Sequence, residues 1–342
     1  MALRKSAELF AIVFLVAAAA IPTSVSLASE SASTAAAPDR MRDVEFSYQS
    51  EITGIDPRAQ VLEVWIPLPR KDKFQSISGF ALQSPLHLEK INKDGDGNSI
   101  AYLKATAPFA ASIPISFSFK LHRVEQSANL VQAQAGTEPA DGDMAKFLHA
   151  NRLVPTDGKI TQVSATVGHT ATSPYDQARA IYDYVVATMK YDKTGTGWGR
   201  GDAIYACDIK KGNCTDFHSL LIAIARSRGI PARFTIGFPL GPSGSGQIPG
   251  YHCWAEFYAG GQWVPVDASE ASKHPERRNY YFGHLDADRV AFTQGRDLIM
   301  NPPQHGAPLN FLIYPYVEID GSPMPQKQVK NVWHYSDVRT TN

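Results

Sequence analysis

The sequence predicts a fold of mixed class, in which an antiparallel β domain precedes a domain of helices and hairpin strands. Apolar and polar residues alternate over much of residues 41–126, most clearly from Ile113 to Leu121, with the period of half-buried antiparallel strands. Farther along, apolar residues recur from Phe217 to Ile224 at helical spacing. Residues 251–267 alternate again around a glycine turn. A length of 342 residues suits two domains.

The first 28 residues have the pattern of a secretory signal peptide. Two basic residues precede an apolar run from Leu9 to Ile21, and Ser26-Leu27-Ala28 supplies the small residues of a cleavage site. The run is shorter than the roughly 20 residues of a membrane span, although an uncleaved anchor is the alternative. We expect a periplasmic or secreted protein, no stable membrane insertion after cleavage, and a flexible leader at residues 29–40.

Residues 41–126 predict a β-sandwich-like domain. Its Asn92–Asn98 stretch resembles the start of a calcium-binding loop. Leu103 stands where such a loop needs a bidentate glutamate, so a hairpin turn is the interpretation we favour. The domain either braces the second domain or helps to bind substrate.

A polar connector from Ser127 to Pro139 marks the predicted domain boundary, and residues 140–325 form the predicted second domain. Ser173-Pro174 has the cap and first-position proline of a helix that continues to about Met189. Residues 326–342 are polar and predict a less ordered tail.

The segment Gly212–Asp216 places Cys214 where a loop becomes a helix. Asn213 is a favourable N-cap and Asp216 follows it by three residues, which is the pattern of a capping box. Unpaired N–H groups and the helix dipole at this position favour a thiolate over a thiol. Cys214 is therefore a candidate nucleophile, and the alternative is a buried, small apolar residue.

A hairpin predicted at residues 251–267 brings a histidine and a carboxylate together. A two-residue turn at Gly260-Gly261 pairs Ala259 with Gln262. Because side chains alternate between faces, this register makes His252 and Asp267 diagonal neighbours on one face.

Cysteine, histidine and carboxylate together form the Cys/His/Asp arrangement used for acyl transfer. His218 is the alternative base, because it lies one helical turn after Cys214. We rank it below His252, because local geometry places no carboxylate to orient it.

Four blocks of this region resemble, in the same order, the motif series of the transglutaminase-like superfamily. The resemblance covers about residues 175 to 270, and its blocks are Gly212–Asp216, Arg228–Arg233, His252–Phe257 and Trp263–Asp267. It implies a papain-like α+β core with Cys214 as nucleophile, His252 as general base and then acid, and Asp267 as orienter. It also implies an amide substrate and a thioester acyl-enzyme, and it does not specify what attacks the thioester.

Three aromatic residues, Trp198, Tyr205 and Trp254, are candidate substrate-binding residues. Trp198 and Tyr205 belong to a glycine-rich stretch before the cysteine, where loops beside a nucleophile grip substrate. Simple packing of the loop is the alternative. The backbone N–H of Cys214 is a candidate oxyanion donor. Arg289 and Arg296 can pair with acidic substrate groups, but we favour a solvated position or structural pairing for both.

The chain has three cysteines, so in an oxidising compartment one disulfide leaves one cysteine as a free thiol. We therefore consider a Cys207–Cys253 disulfide that leaves Cys214 free. Strand alternation directs Cys253 to the face opposite His252, so a bridge there need not disturb the histidine.

The overall charge does not favour a polyanion as a partner. Lysine plus arginine equals aspartate plus glutamate at 33 each, which gives no indication of nucleic acid or of an anionic membrane surface. We predict no cofactor and no metal, since Cys207 and the nearby histidines lack the spacing of a zinc site.

The sequence thus predicts thiol-dependent acyl transfer or hydrolysis at a peptide or carboxamide bond of a peptide or protein substrate. Water is slightly favoured over an amine as the acceptor. The alternative is a catalytically silent protein that binds peptide or cell-wall material.

Overall fold

The computed structural model describes residues 41–136 and 142–338, which belong to one compact unit spanning Pro38–Asn342. The predicted signal peptide (1–28) and leader (29–40) lie outside the described residues. Helices and antiparallel strands both occur, which confirms the α+β class. No helix in the described ranges is long and apolar enough to cross a membrane.

The strands are β1 (Met41–Thr53), β2 (Val61–Pro67), β3 (Gln75–Gln83), β4 (His87–Lys93), β5 (Ser99–Thr106), β6 (Ser112–Val124), β7 (Gln126–Ser127), β8 (Lys190–Tyr191), β9 (Lys211–Gly212), β10 (Ala232–Pro239), β11 (Ser245–Ile248), β12 (His252–Ala259), β13 (Gln262–Val266), β14 (His284–Leu285), β15 (Arg289–Gln294), β16 (Tyr316–Ile319), β17 (Ser322–Pro323) and β18 (Val329–Asp337).

The helices are α1 (Leu130–Ala135), α2 (Lys159–Thr166), α3 (Pro174–Thr188), α4 (Ala203–Ile209), α5 (Cys214–Ser227) and α6 (Ala268–Lys273). Short 3-10 helices occupy Gly142–Phe147, Pro275–Arg277 and Gln326–Gln328. Ser173 caps α3 as the sequence predicts, by accepting a hydrogen bond from the Asp176 N–H.

Strands β1 to β6 are divided between two sheets, which strands from later in the chain complete. Their orders are β11-β18-β1-β6-β3 and β17-β16-β2-β5-β4. Alternate residues of β1 and β6 are buried, as their sequence pattern predicts. The calcium-loop candidate is the turn between β4 and β5, where the Asp94 carboxylate accepts hydrogen bonds from the Asp96 and Asn98 N–H groups at 2.9 Å each. This stretch is therefore a hairpin turn, as we favoured.

The structure differs from the predicted division into separate domains at 41–126 and 140–325. Phe46 of β1 packs against Phe238 of β10 and Phe292 of β15, with ring centroids 5.6 and 5.8 Å apart. One cluster of buried residues runs through both regions. The N-terminal strands therefore share their core with the part of the chain that carries Cys214.

The prediction of a polar, less ordered tail at residues 326–342 is wrong for Val329–Asp337, which form β18. This strand lies between β1 and β11, where Tyr48 pairs with Trp333 and Trp333 with Ile248. Trp333 and Tyr335 are each 6% exposed. Polar residues alternate with these inward-facing aromatics, so the overall polarity of the segment concealed a strand pattern.

The third sheet has the order β13-β12-β10-β15, and α5 packs against β10 and β12. Every residue of α5 from Cys214 to Arg226 is buried. The hairpin of β12 and β13 turns at Gly260-Gly261 and pairs Ala259 with Gln262, which confirms the predicted register.

Candidate active site

Cys214 is the first residue of α5, and a capping box holds this helix start. The Asn213 side chain accepts a hydrogen bond from the Thr215 N–H at 3.0 Å, and Asp216 accepts one from the Asn213 N–H at 3.0 Å. The Asp216 carboxylate also accepts the N–H groups of Gly199 and Gly201, at 2.7 and 3.0 Å. The cap therefore fixes both the cysteine and the glycine-rich loop beside it.

Asn213→Ala is expected to lower the free energy of unfolding by about 1 kcal/mol, the usual effect of losing an N-cap. It also removes the hydrogen bond that Asn213 donates to the Tyr251 hydroxyl at 3.0 Å, so alkylation of Cys214 is expected to slow. Asn129→Ala, which removes the cap of α1 away from the site, is the matched control. Equal alkylation rates in the two variants would contradict a role for the cap in the site.

His252 and Asp267 are joined by a hydrogen bond of 2.7 Å between Nε2 and Oδ2. The ladder between β12 and β13 ends at the Ala255–Val266 pair, and the chain then turns into α6, whose N-cap is Asp267. The two side chains therefore meet as predicted, although Asp267 lies just past the strand. Because Nε2 faces Asp267, Nδ1 is the nitrogen left to face Cys214.

The electrostatics of the pair favour a thiolate and an imidazolium. Burial alone would raise the pKa of the Cys214 thiol, but hydrogen bonds from Cys253 and His252 and the charge on His252 hold it well below its usual range. Burial alone would lower the pKa of His252, but Asp267 and Cys214 raise it to about 10. The two shifts act in the same direction, so the pair is displaced from thiol and neutral imidazole toward thiolate and imidazolium.

This charge state predicts an unusual pH profile for alkylation of Cys214 by iodoacetamide. Since its pKa is depressed, the thiolate is retained below the pH at which an ordinary thiol protonates and is lost only as the pH falls through the lowered value. We expect the rate constant to stay level as the pH falls through about 8.5, where an ordinary thiol titrates, and to decrease only at lower pH. His252→Gln should restore the ordinary profile and slow alkylation at pH 6 by at least about tenfold.

Peptide mapping by mass spectrometry measures this rate at Cys214 alone, and Cys214→Ala gives the background from the other two thiols. A profile in His252→Gln that matches the unmodified protein would show that the histidine does not set the thiol's protonation.

Cys253 lies next to Cys214, which the sequence did not predict. Its Sγ is 3.7 Å from His218 Nδ1, and it is near enough to the Cys214 sulfur to help lower the pKa of that thiol. Strand alternation does direct Cys253 away from His252, but α5 covers that face and carries Cys214 there. The considered Cys207–Cys253 disulfide is not formed, because all three cysteines are free.

His218, the alternative base, is a structural residue. It is fully buried, its Nδ1 contacts the Cys214 carbonyl at 2.8 Å, and its Nε2 accepts the Ala268 N–H at 3.1 Å. An accepting Nε2 requires that Nδ1 carry the proton, so the ring is neutral. Asp267 Oδ1 lies 3.6 Å from Nε2, so a carboxylate is nearer to this ring than local geometry suggested.

Arg289 fixes the orienting carboxylate, and its partner Asp286 is a residue that sequence reasoning missed. Arg289 NH1 donates to Asp267 Oδ2 at 3.0 Å, while its Nε and NH2 donate to Asp286 Oδ1 at 3.1 and 3.0 Å. Arg296 donates to Ser219 Oγ at 2.6 Å and to the Gly201 carbonyl at 2.8 Å. Both arginines thus make the structural pairings that we favoured.

The three predicted substrate-binding residues lie in different environments. Trp198 is half-buried and donates to the carbonyl of Gly195 in its own loop at 3.1 Å. Tyr205 is half-buried on α4 and packs closely under Gly197. Trp254 is 2% exposed and lies behind His252, with ring centroids 6.2 Å apart. Contact of these residues with substrate remains a prediction.

An aromatic cavity of about 360 Å³ lies beside the cysteine, lined by residues that include Tyr251, Phe311 and Tyr314. Burial and the charge of the Cys214 thiolate raise the pKa of Tyr314 to about 12, so this hydroxyl lies within electrostatic range of the sulfur. Cys214 and His252 are 2% and 6% exposed, so surrounding residues cover most of the pair. Sequence reasoning missed the segment 309–314, because no local pattern links it to the cysteine.

Glu63, His305 and Glu318 form a cluster whose ligand atoms lie within 4.8 Å of one another. Their atoms are already hydrogen-bonded, since Tyr102 donates to Glu63 and both His305 and Tyr316 contact Glu318. The cluster is remote from Cys214 in the fold and works as a hydrogen-bond network of the N-terminal sheet.

The sequence of residues 161–268 matches the family model of the transglutaminase-like superfamily. Cys214, His252 and Asp267 all fall within the match. Residues 161–268 form a transglutaminase-like core. The predicted resemblance is therefore confirmed, and the family supports a thiol-dependent hydrolase or acyltransferase in general terms.

Two known proteins are similar to larger parts of the chain. The 1.9 Å crystal structure of a "putative cysteine protease" from Cytophaga hutchinsonii superposes with a TM-score of 0.62 at 19% identity, over 88% of this chain and 92% of that one. This similarity confirms the predicted fold around the transglutaminase-like core. An uncharacterized protein of Haemophilus influenzae is 33% identical over 53% of this chain, and the match spans 58% of that protein's length.

Proposed function

We propose that the chain is a cysteine-dependent enzyme that cleaves a peptide or carboxamide bond through a thioester acyl-enzyme. The observation that carries the proposal is the contact between a depressed-pKa thiol at a helix start and His252, whose other nitrogen is held by Asp267 at 2.7 Å. A nucleophile beside a base whose ring is held by a carboxylate is what acyl transfer requires.

In the proposed reaction the Cys214 thiolate attacks the carbonyl carbon and forms a C–S bond, while the carbonyl electrons move to oxygen. The backbone N–H of Cys214, one of those that a helix start leaves unpaired, donates to this oxyanion. The tetrahedral species then expels the amine, which takes the proton from His252 Nδ1. In the second half, His252 removes a proton from the acceptor, which displaces the sulfur and releases the acyl product.

Water is the acceptor that we favour over an amine. Cys214 is 2% exposed and His252 is 6% exposed, so the opening to the thioester is narrow. Water passes such an opening more readily than the lysine side chain of a second folded protein. The aromatic cavity at Tyr251 and Tyr314 suits an apolar part of a peptide.

The setting is also a proposal. The sequence of residues 1–28 favours export, so the substrate would be a peptide or protein met in the periplasm or outside the cell. A catalytically silent peptide-binding protein is the second candidate, since the aromatic cavity alone can hold a peptide and the sulfur is largely covered.

A peptide mixture incubated with the protein, with and without an added primary amine, tests the proposal by mass spectrometry. We expect cleaved or deamidated peptides in both samples, and few amine adducts. Adducts that dominate when the amine is present would identify an acyltransferase. Peptides retained by the protein but chemically unchanged in both samples would support the silent binder.

A further inference from the structure

A polar cavity of about 260 Å³ lies on the face of the β12 sheet that is turned away from α5. Cys253 faces α5, and strand alternation directs its neighbour Trp254 to the opposite side, into the wall of this cavity. Glu256 of β12 and Arg233 of β10 continue the wall, which the β2–β3 connection and the end of β6 complete. Cys214, His252 and Asp267 are not among the residues that line this cavity.

Charge is unevenly distributed in this cavity. Four cationic side chains and two carboxylates line it: Arg70, Lys73, Arg123, Arg233, Asp72 and Glu256. Glu256 is already occupied, because it accepts from Arg233 at 2.6 Å and from Gln126 at 2.8 Å. Asp72 and Lys73 are exposed at the mouth. The interior thus has an excess of positive charge that the lining carboxylates do not balance.

Arg123 is the unusual member of this set. It is 1% exposed, and its Nε and NH2 have no hydrogen-bond partner among the residues that the structure describes. A buried guanidinium without a partner is strongly unfavourable. Burial and repulsion from Arg289 lower its pKa to about 10, although Asp72 opposes them, so it is still charged at neutral pH.

Arg70 is a second partly buried cation in the lining of this cavity. Burial and then repulsion from Arg233 lower its pKa, and it donates through NH1 to Asn98 Oδ1 at 3.0 Å. Two arginines that are partly desolvated and oriented into one cavity match the planar, paired oxygens of a carboxylate or phosphate. The cavity volume exceeds that of one water molecule, about 30 Å³, many times over, so a small organic anion fits.

We propose that this cavity binds a small oxyanion, a carboxylate or phosphate group, with Arg123 and Arg70 as its principal donors. The anion supplies the counter-charge and the hydrogen-bond acceptors that Arg123 lacks. Trp254 separates the bound anion from Arg289, whose guanidinium carbon lies 5.1 Å from the Trp254 ring centroid. The proposal does not depend on the proposed function.

Isothermal titration of the full chain with inorganic phosphate, and separately with malonate, tests the proposal against sodium chloride at equal ionic strength. We expect saturable binding of one anion per chain for at least one of the two, and a matching rise in melting temperature. Arg123→Met should weaken that binding at least about tenfold, because a charge-assisted hydrogen-bond pair is lost. Arg58→Met is the control, because Arg58 is exposed and pairs only with Asp56.

Phosphate binding without malonate binding supports a phosphate ligand, and the reverse supports a carboxylate ligand. Arg123→Met should remain folded, because it removes a buried charge that the described residues leave unpaired. If it does not fold, Arg70→Gln provides the same comparison from the half-exposed side of the cavity. Saturable binding of neither anion, or equal binding in the cavity variants and in Arg58→Met, would overturn the proposal.

Discussion

Cys214→Ala is expected to abolish turnover of any peptide substrate, with kcat lowered by about 10⁴-fold or more, as when other enzymes lose their nucleophile. No other described group can take its place. Cys253 has a pKa raised well above its usual range, by burial and then by hydrogen bonding to Cys214 and the Cys214 charge, so it stays a thiol. His252 and Asp267 remain in place, but no covalent intermediate can form.

Single-turnover analysis by intact-protein mass spectrometry measures the effect, since the acyl-enzyme is a mass adduct on the unmodified chain only. Cys207→Ala is the control, because Cys207 is a buried cysteine on α4. We expect it to keep both the adduct and the turnover. Turnover that survives Cys214→Ala within about tenfold would rule out the thioester route.

Arg289→Met is expected to lower the free energy of unfolding by about 3–5 kcal/mol, which is the usual effect of removing one partner from a buried ion pair. Burial alone would lower the pKa of Arg289, but Asp286 and Asp267 raise it, so this arginine is a cation that the two carboxylates share. Arg289 is 3% exposed and Asp267 fully buried, so water cannot substitute. Methionine leaves Asp267 with His252 as its cationic partner and Asp286 with the half-exposed Arg277 at 3.5 Å.

Denaturation in guanidinium chloride measures this change, and two further variants locate its origin. Arg277→Met is the control, because Arg277 contacts the same Asp286 only at 3.5 Å and from a half-exposed position. This variant should lower the free energy of unfolding by less than about 1 kcal/mol. Asp286→Asn combined with Arg289→Met should recover part of the loss, because one buried charge is removed. A loss below about 1 kcal/mol for Arg289→Met itself would contradict the buried-pair interpretation.

The parts of the site that the sequence predicted are those fixed by short-range rules. The capping box at Asn213 and Asp216 follows from residue types three positions apart. The register at Gly260-Gly261 follows from the length of the turn. Together these rules position Cys214 and bring His252 to Asp267.

The parts that the sequence did not predict depend on contacts between distant segments. Arg289 reaches Asp267 across 22 positions, and Tyr314 approaches Cys214 from a different part of the chain. Strand alternation correctly turned Cys253 away from His252. It could not show that α5 covers that second face, because the position of a helix over a sheet is a tertiary property.

Contacts between distant segments also explain why the sequence did not predict the shared core of the N-terminal strands. The alternation in β1 and β6 predicted strands with one buried face, but it does not specify what covers that face. Phe46 packs against Phe238 and Phe292, so part of the cover comes from the transglutaminase-like core. A shared core cannot be distinguished from two separate cores by strand patterns alone.

The position of β18 determines when this protein can complete its fold during synthesis. β1 is made early, yet one of its edges is paired only by residues 329–337, and β11 gains its partner from the same strand. Until the ribosome has released those residues, β1 presents an open edge and an uncovered row of apolar side chains. The nascent chain must therefore be kept from aggregating until almost the whole described sequence has emerged.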